Sequence, residues 1–274
     1  MGSRRIHGTL CTSVNLGELQ AALGEIPLSG LRFFESIGST NDEAAAWAAA
    51  GAADWSLVVA DEQTAGRGRG GSKWLTPKGT ALAFSLVLRP PLPRPEYAIR
   101  VTGLGALAVA EACAELGLQP AIKWPNDVLL GGRKAAGVLV ESVWTGDRLE
   151  ASVLGIGVNV LVGAVPPEAT LAYPATCLET ELAHPLDRVG LLREILASIE
   201  RWRDLLETDE FMNAWEDRLA FRGRQVRIAG PDGVELTGTL LGLDADGAAR
   251  LETNHRIVAV RAGQISMRPT DDRM

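Results

Sequence analysis

Two kinds of hydrophobic pattern alternate along most of the chain. Apolar residues recur at three- and four-residue spacing in segments that predict helices, and they form continuous or alternating apolar runs in segments that predict strands. The mixture predicts an α/β or α+β domain that begins at residue 31. The predicted helices cover residues 16–23, 41–50, 101–116, 188–206 and 211–219, and the predicted strands cover 57–60, 81–88, 137–143 and 151–160.

After residue 222 the pattern changes to short alternating apolar runs that are separated by turns. The runs are centred on Val226, Leu241 and Ile257, and turn-forming residues occur at 231–233 and 244–247. Such spacing predicts a small all-β barrel. The sequence therefore predicts a short N-terminal extension at 1–30, a large domain at 31–221 and a small C-terminal domain at 222–270.

Composition and charge narrow the class of protein. The 27 Lys and Arg residues against 34 Asp and Glu give a formal net charge of -7, which argues against a general nucleic-acid-binding surface. The three cysteines are far apart, which predicts free thiols in a reducing compartment. The sequence shows no secretory signal, and the apolar stretch at 101–118 is interrupted by glutamates and is too short for a membrane span. We expect a cytoplasmic protein with no membrane or nucleic-acid partner.

A loop rich in glycine and arginine occupies residues 63–74, with the sequence QTAGRGRGGSKW. Three of its glycines formally match the dinucleotide fingerprint GxGxxG, but a strand follows instead of the helix that the fingerprint requires. The glycines let the backbone approach an anion closely, and Arg67 and Arg69 supply guanidinium groups for a phosphate or carboxylate. The loop is typical of a phosphate site, with a solvated surface loop as the alternative.

Lysines mark a second polar region. The run Lys123-Trp124-Pro125-Asn126-Asp127 follows a predicted helix, and Lys134 follows a glycine turn. Lysines and arginines drawn together would offset the repulsion between a substrate carboxylate and a nucleoside triphosphate, which is the obstacle to forming an acyl adenylate. Taken singly, Asn126-Asp127 is equally well explained as a turn, and Lys134 as a solvated charge.

Structural alternatives exist for other conspicuous residues as well. Thr40 and Glu43 match a helix capping box at the start of an alanine-rich predicted helix. Trp124 is readily explained as a core residue, and Trp74 is either a core residue or a flat face for a base.

Taken together, these segments resemble the biotin–protein ligase family. The match in order and spacing extends over residues 31–160, and the region at 222–268 resembles the SH3-like domain that closes these ligases. The resemblance rests on Ser39-Thr40-Asn41, Gln63, Gly66-Arg67-Gly68-Arg69, Trp74, the KWPND run at 123–127, Lys134 with Gly137, and the GIGVN segment at 155–159.

The resemblance implies an α+β fold, in which helices flank a central mixed β-sheet as in class II synthetases, followed by a small C-terminal SH3-like β-barrel. It implies an enzyme that uses ATP, with Mg²⁺, to convert biotin to biotinyl-5′-adenylate. The biotin then passes to a lysine of a biotin carboxyl carrier protein, of acetyl-CoA carboxylase or a similar enzyme. Both a monomer and a homodimer are compatible with the family.

The resemblance also assigns roles to single residues. Gly70 and Ser72 stand where the family often has arginines, so we expect the contacts made there to be missing or supplied by another residue such as Lys73. No protein side chain is expected to bind a metal. The implied catalytic residues are Lys134, Arg67 and Lys123; the implied biotin-binding residues are Ser39, Thr40, Asn41, Gln63, Arg67, Gly68, Arg69, Lys134 and Gly137; the implied nucleotide-binding residues are Arg69, Trp74, Asn126 and Asn159.

Three other functions compete with this interpretation, and one of them, a generic carrier-protein interaction module, would not need the cationic loop. A lipoate–protein ligase shares the adenylate chemistry, but its substrate needs an apolar pocket where the ureido ring of biotin needs hydrogen-bond donors and acceptors. Ser39, Thr40 and Gln63 favour biotin. A repressor that binds biotinyl-adenylate and DNA would need an N-terminal DNA-binding domain, and about 30 residues are too few for one on a typical minimum of roughly 50.

Overall fold

The computed structural model describes residues 14–89, 96–171, 173–230, 235–254, 256–261 and 266–270. Helices and strands are mixed along the chain up to residue 217, and strands alone follow. The helices are α1 (Leu16–Ala22), α2 (Thr40–Ala49), α3 (Glu96–Glu115), α4 (Leu178–Leu182), α5 (Arg188–Arg203) and α6 (Asp209–Asp217). The strands are β1 (Gly30–Phe34), β2 (Ser56–Ala60), β3 (Ala81–Leu88), β4 (Pro120–Lys123), β5 (Asp127–Leu130), β6 (Arg133–Thr145), β7 (Arg148–Asn159), β8 (Gln225–Ala229), β9 (Glu235–Leu243), β10 (Ala249–Thr253), β11 (Arg256–Val260) and β12 (Ser266–Pro269).

The larger sheet has the strand order β1-β2-β3-β7-β6-β5-β4. Strands β1 and β2 run parallel, and the other neighbours run antiparallel. This is the central mixed sheet that the resemblance implied.

Side chains of this sheet alternate between its two faces, because successive residues of a strand point in opposite directions. In β3, Phe84 and Leu86 join the main core with α3 and α5, whereas Val87 joins a smaller cluster with Ala44 and Ala48 of α2. Ser85 also faces α2 and bonds to its first turn. Among the described helices, α2 therefore covers one face of the sheet, and α3 and α5 cover the other.

The described part of the predicted N-terminal extension packs on the main core. Helix α1 begins after Asn15, whose side chain caps it by accepting from Glu18 N at 3.0 Å. Leu19 is fully buried, and the helix contacts α5. Residues 14–29 thus form part of the layer that covers the sheet.

The C-terminal strands form an antiparallel five-stranded sheet in the order β11-β10-β9-β8-β12. Val226, Leu240 and Leu251 are fully buried and belong to the same core cluster as the large domain. Glu216 of α6 accepts from Leu243 N at 2.7 Å, which adds a polar contact between the two parts. This is the small SH3-like domain expected at the C-terminus.

Helix α3 corrects one sequence-based argument. Within Tyr97–Glu115 it is long and apolar enough to cross a membrane, so the statement that this stretch is too short was wrong. However, 67% of the apolar window is buried inside the protein, as in the core helix of a globular domain. The fold therefore accounts for the apolar character of α3.

Two of the three cysteines lie in the described residues, and both are free thiols, as predicted. Burial raises the pKa of Cys113 to about 12. Cys11, the turn predicted at 231–233 and the first 13 residues of the predicted extension lie outside the described residues.

Candidate active site

A cleft opens to solvent on the α2 face of the large sheet. Strands β6 and β7 form its floor, the first turn of α2 forms one wall, and the loop at 63–74 covers it. Its lining residues are Ser39, Thr40, Asn41, Gln63, Arg67, Gly68, Arg69, Trp74, Asn126, Lys134, Gly137, Val138, Leu139, Gly155, Ile156 and Gly157.

Glycines form the floor because side chains lie directly on the strand backbone. A Cβ atom at Gly155 would lie 2.0 Å from Asn41 Oδ1, and one at Gly157 would lie 2.4 Å from the Trp74 ring. At Gly137 the same ring would be 3.2 Å away. Any larger residue at the first two positions would displace Asn41 or Trp74 from the cleft.

A chain of hydrogen bonds fixes the polar end of the cleft. Gln63 Oε1 accepts from Thr40 N at 2.8 Å and from Thr40 Oγ1 at 3.1 Å, and Gln63 Nε2 donates to Thr76 Oγ1 at 3.1 Å. Ser85 Oγ lies 2.8 Å from Thr40 Oγ1 and 2.6 Å from Asn41 Oδ1. The first turn of α2, β3 and the loop are thus held together by side chains with both donors and acceptors.

The predicted capping box at Thr40 and Glu43 was wrong. Ser39 is the N-cap residue and makes no side-chain capping bond, and Thr40 lies inside the helix. The Thr40 hydroxyl bonds to Gln63, and Glu43 pairs with Arg32 at 2.6 Å. Sequence spacing alone could not distinguish a cap from a binding residue at this position.

Arg67 is held by two carboxylates. Its Nη1 lies 2.5 Å from Asp42 Oδ1, and its Nη2 donates to both oxygens of Glu141 at 2.9 Å. The hydrogen bond to Asp42 contributes most to raising the pKa of Arg67. Glu141 also accepts from Asn41 Nδ2 at 2.7 Å. The guanidinium therefore ties the loop to α2 and β6.

Arg69 turns into the cleft instead. Its Nη1 donates to Asn126 Oδ1 at 3.1 Å, and Asn126 Nδ2 donates to the Val138 carbonyl at 2.9 Å. Burial lowers the pKa of Arg69, although the charge of Asp127 opposes this shift. Asn126 thus connects the loop to β6 and is more than a turn residue.

A buried carboxylate lies between the two lysines. Asp127 Oδ1 is 2.6 Å from Lys134 Nζ, and Asp127 Oδ2 is 2.8 Å from Lys123 Nζ. Burial acts to raise the pKa of Asp127, but the charges of Lys134 and Lys123 outweigh it and hold that pKa below its usual value. Lys134 also lines the cleft, 5.4 Å from the centre of the Trp74 ring, and is therefore not a solvated surface charge.

The loop closes on itself through a tight turn. Gly68 N donates to Ser72 O at 2.7 Å, and Trp74 N donates to Gly66 O at 2.9 Å. Gly70 and Gly71 have φ values of 62° and 77°, a region that favours glycine. Gly70 therefore suits this turn by its conformation, and Ser72 closes it by accepting from Gly68 N.

Most of the residues proposed from the sequence line the same cleft, with Lys123 and Asn159 outside it. Lys123 lies beside Asp127 and against the Tyr173 ring, and Asn159 Nδ2 donates to the Thr176 carbonyl at 3.0 Å. Several residues that hold the lining ones were not predicted from the sequence: Asp42, Thr76, Ser85 and Glu141. Asp127 was predicted only as a member of the KWPND run or of a turn.

The arrangement has two chemically different ends. Thr40, Asn41 and Gln63 offer hydrogen bonds from neutral groups, and Arg69 and Lys134 offer positive charge. Such a cleft suits an elongated ligand that has a neutral polar ring at one end and a carboxylate at the other, next to a phosphate group.

Two separate parts of the chain match models of known protein families. Residues 33–159 match the profile of the biotin/lipoate A/B protein ligase family, and residues 221–268 match that of the biotin protein ligase C terminal domain.

Similar proteins include enzymes from several bacteria. The chain is 40% identical over 223 residues to the biotin--[acetyl-CoA-carboxylase] ligase of Paracoccus denitrificans, which covers 77% of this chain and 89% of that protein. It is 35% identical over 242 residues to the bifunctional ligase/repressor BirA of Bacillus subtilis, and this match covers 86% of this chain and 74% of that protein. The solved structure of biotin protein ligase from Aquifex aeolicus in complex with biotin and ATP aligns with a TM-score of 0.76 and 29% identity, covering 89% of this chain and all of that one.

Proposed function

Because this chain belongs to the biotin protein ligases of the biotin/lipoate A/B protein ligase family, and therefore activates biotin with ATP and transfers it to protein, we propose that the cleft beneath the loop at 63–74 is its active site. The observation that carries the proposal is the pairing of the neutral polar end around Thr40 and Gln63 with the cationic end around Arg69 and Lys134 in one cleft. Biotin has the same two ends, a ureido ring and a carboxylate.

In the first step, a biotin carboxylate oxygen attacks the α-phosphorus of ATP. A new phosphorus–oxygen bond forms, the bond to pyrophosphate breaks, and biotinyl-5′-adenylate remains. Lys134 and Arg69 offset the negative charge that the carboxylate and the phosphate bring together. Asp127 holds the Lys134 amine at 2.6 Å, so this charge is in place before the substrates arrive. Lys123 acts through Asp127, since the same carboxylate joins both amines.

In the second step, an acceptor lysine attacks the acyl carbon and AMP leaves with the bonding electrons. The mixed anhydride is sensitive to water, so the loop at 63–74 must stay over it until the acceptor arrives. Trp74 lies on Gly157, where its ring offers a face for the adenine base. Asn126 lines the cleft, and Asn159 lies outside its lining and donates to the Thr176 carbonyl. Both remain proposed for the nucleotide.

Magnesium is expected to take part through the phosphates of ATP, whose oxygens bind this ion together with water. Asp127, the carboxylate beside the cleft, already neutralises two lysines. We therefore infer that Mg²⁺ enters as the metal complex of ATP, as part of the substrate.

The polar end of the cleft also supports the choice of biotin over lipoate. A ureido ring has two N–H donors and a carbonyl acceptor, which match the hydroxyl and amide groups of Thr40, Asn41 and Gln63. The dithiolane of lipoate offers no N–H donor or carbonyl acceptor to this polar end, and a site built to hydrogen-bond its substrate discriminates against an analogue that lacks those groups. The named relatives point the same way, since they are biotin ligases. The lipoate alternative is not favoured.

The acceptor is proposed to be the lysine of a biotin carboxyl carrier domain, in line with the acetyl-CoA carboxylase named in the relatives. The test is to incubate the purified chain with ATP, Mg²⁺, a carrier domain and either biotin or lipoate, and to follow the mass of the carrier. We expect a gain equal to one biotin that requires ATP, with no gain from lipoate. A gain only with lipoate, or none with biotin, would overturn the proposal, and a carrier with its acceptor lysine replaced serves as the control.

A further inference from the structure

Glu141 lies where the polar end of the cleft meets the loop that covers it. Its Oε2 accepts from Asn41 Nδ2 at 2.7 Å, and both of its oxygens accept from Arg67 Nη2 at 2.9 Å. Asn41 lies on the cleft floor at Gly155, whereas Arg67 belongs to the loop. One carboxylate therefore serves both parts of the site.

The contact with Asn41 fixes the orientation of that amide. A carboxylate is only an acceptor, so the NH₂ group of Asn41 must face Glu141 and its Oδ1 must face Ser85. The Leu139 carbonyl, 3.4 Å from Asn41 Nδ2, favours the same orientation. Ser85 in turn lies 2.8 Å from the Thr40 hydroxyl. The orientation imposed by Glu141 thus reaches the groups proposed to bind the ureido ring.

The contact with Arg67 holds the loop. Asp42 contributes a second carboxylate from α2, at 2.5 Å from Arg67 Nη1. These side chains are partly exposed, so each ion pair alone is weak. However, Arg67 contacts two carboxylates at once, Asp42 through Nη1 and Glu141 through Nη2, which restrains the position of its guanidinium. Asp42 acts on the loop, whereas Glu141 acts on both the loop and the ureido end.

We propose that Glu141 is a positioning residue that ties the biotin end of the cleft to the loop, orienting Asn41 for biotin while holding the loop over the adenylate. This inference rests on the proposed function, because it assigns the polar end to the ureido ring. Loss of Glu141 impairs both biotin binding and retention of the intermediate. Loss of Asp42 impairs retention alone.

The experiment uses the full chain and two measurements. One is the KM for biotin in adenylate formation, which is measured through the release of pyrophosphate. The other is the rate at which free biotinyl-adenylate appears in solution when no carrier is present. The variants are Glu141→Ala, the shape-conserving Glu141→Gln, and Asp42→Asn as the matched control that removes only a loop contact, with thermal melting to verify folding.

We expect Glu141→Ala to raise both the KM for biotin and the release rate about tenfold, as for loss of a charge-assisted hydrogen bond. Asp42→Asn raises the release rate and leaves the KM near that of the parent. Glu141→Gln behaves like Asp42→Asn, because its amide oxygen still accepts from Asn41 while its NH₂ group faces Arg67.

The inference is overturned if a folded Glu141→Ala changes only one of the two quantities, or if Asp42→Asn raises the KM as much. If Glu141→Ala does not fold, Glu141→Gln decides: an unchanged release rate overturns the inference. Failure of the parent chain to form any adenylate from biotin is a separate result. It refutes the proposed function, and the inference with it, before a variant is made.

Discussion

The indole of Trp124 donates a 3.0 Å hydrogen bond to the carbonyl oxygen of Gly247, and so joins the run that carries Asn126 and Asp127 to a turn of the C-terminal barrel. The turn is itself rigid, since Asp244 Oδ1 accepts from Asp246 N and Ala248 N at 2.9 Å. The barrel is therefore connected to the charged end of the cleft through one buried side chain.

Trp124→Phe removes the hydrogen bond to Gly247 and keeps most of the packing of the ring, so it tests the hydrogen bond separately. We expect a loss of about 1–3 kcal/mol of stability for the unpaired Gly247 carbonyl, beyond the cost of the smaller ring. We also expect about a tenfold fall in kcat/KM for ATP, because a small displacement of a positioned group is costly in rate. Urea denaturation and pyrophosphate release measure the two effects.

The matched control is Trp215→Phe. Trp215 is also fully buried against the turn at Gly247, but among the described residues its Nε1 has no hydrogen-bond partner. This variant loses ring volume without losing a hydrogen bond. Equal effects of the two substitutions on kcat/KM would contradict a special role for Trp124.

Lys134→Ala should remove adenylate formation while the protein stays folded. Lys134 lines the cleft, and loss of one preorganised charge of this kind commonly costs about 10²- to 10³-fold in rate. Asp127 keeps Lys123 as a partner, so the buried carboxylate is not left unpaired. The measurement is single-turnover formation of biotinyl-adenylate.

Arg133→Ala is the control for Lys134, because Arg133 is the adjacent residue on β6 but pairs with Glu181 at 2.6 Å. Its loss should change the rate by no more than about twofold, as for an ordinary surface substitution. Near-normal turnover in Lys134→Ala would refute the role assigned to that lysine.

The long elements of the fold were predictable because a continuous apolar run, a helical spacing of apolar residues or an alanine-rich composition extends over many residues. Strand β3 has the predicted bounds, and α2 differs from its predicted range by one residue at each end. Strands β4 and β5 were missed, since each has only four residues and periodicity needs a longer window. Strand β1 was missed although it is as long as the predicted β2, because Arg32 interrupts its apolar run, whereas β2 is a continuous apolar run with every residue buried.

The cleft was predictable only in part. Motif residues such as Thr40 and Lys134 line it, but Glu141 was not singled out, because its significance arises from contact with Asn41, 100 residues away in sequence. Asp127 was known as a member of the KWPND run, yet only the fold brings Lys134 to its carboxylate. Single-sequence spacing does not report such long-range pairs.

Asp127 should make stability depend on pH. Its folded pKa lies below the usual aspartate value, so the unfolded state binds more protons as the pH falls through that range. The stabilisation is complete above the unfolded pKa, near 3.9 for an ordinary aspartate, and is lost as the pH falls through the folded pKa. Asp127→Asn should therefore be less stable at neutral pH and lose less stability on acidification.

Urea denaturation from neutral pH downward measures this dependence. Removing one partner of a buried ion pair typically costs about 3–5 kcal/mol, which sets the expected difference at neutral pH. Asp217→Asn is the control, since that carboxylate is 75% exposed and lies 3.9 Å from Arg222. If the free energy of unfolding depends on pH in the same way in Asp127→Asn and in the parent chain, the lowered pKa of Asp127 is not the cause of the pH dependence.

Gly157→Ala should raise the KM for ATP. The added Cβ would lie 2.4 Å from the Trp74 ring, a distance that such atoms do not tolerate, so the ring must leave its place above β7. Overpacking of this kind costs about 1–3 kcal/mol of stability, and displacement of a positioned side chain costs up to about 10²-fold in rate.

Gly38→Ala is the control for Gly157→Ala. A Cβ at Gly38 would meet nothing within 4 Å, and this residue immediately precedes Ser39, the N-cap of α2. If Trp74 packs on adenine as proposed, the KM for ATP rises more than the KM for biotin in Gly157→Ala. An equal rise in both constants would show that Trp74 shapes the cleft as a whole without contacting the base.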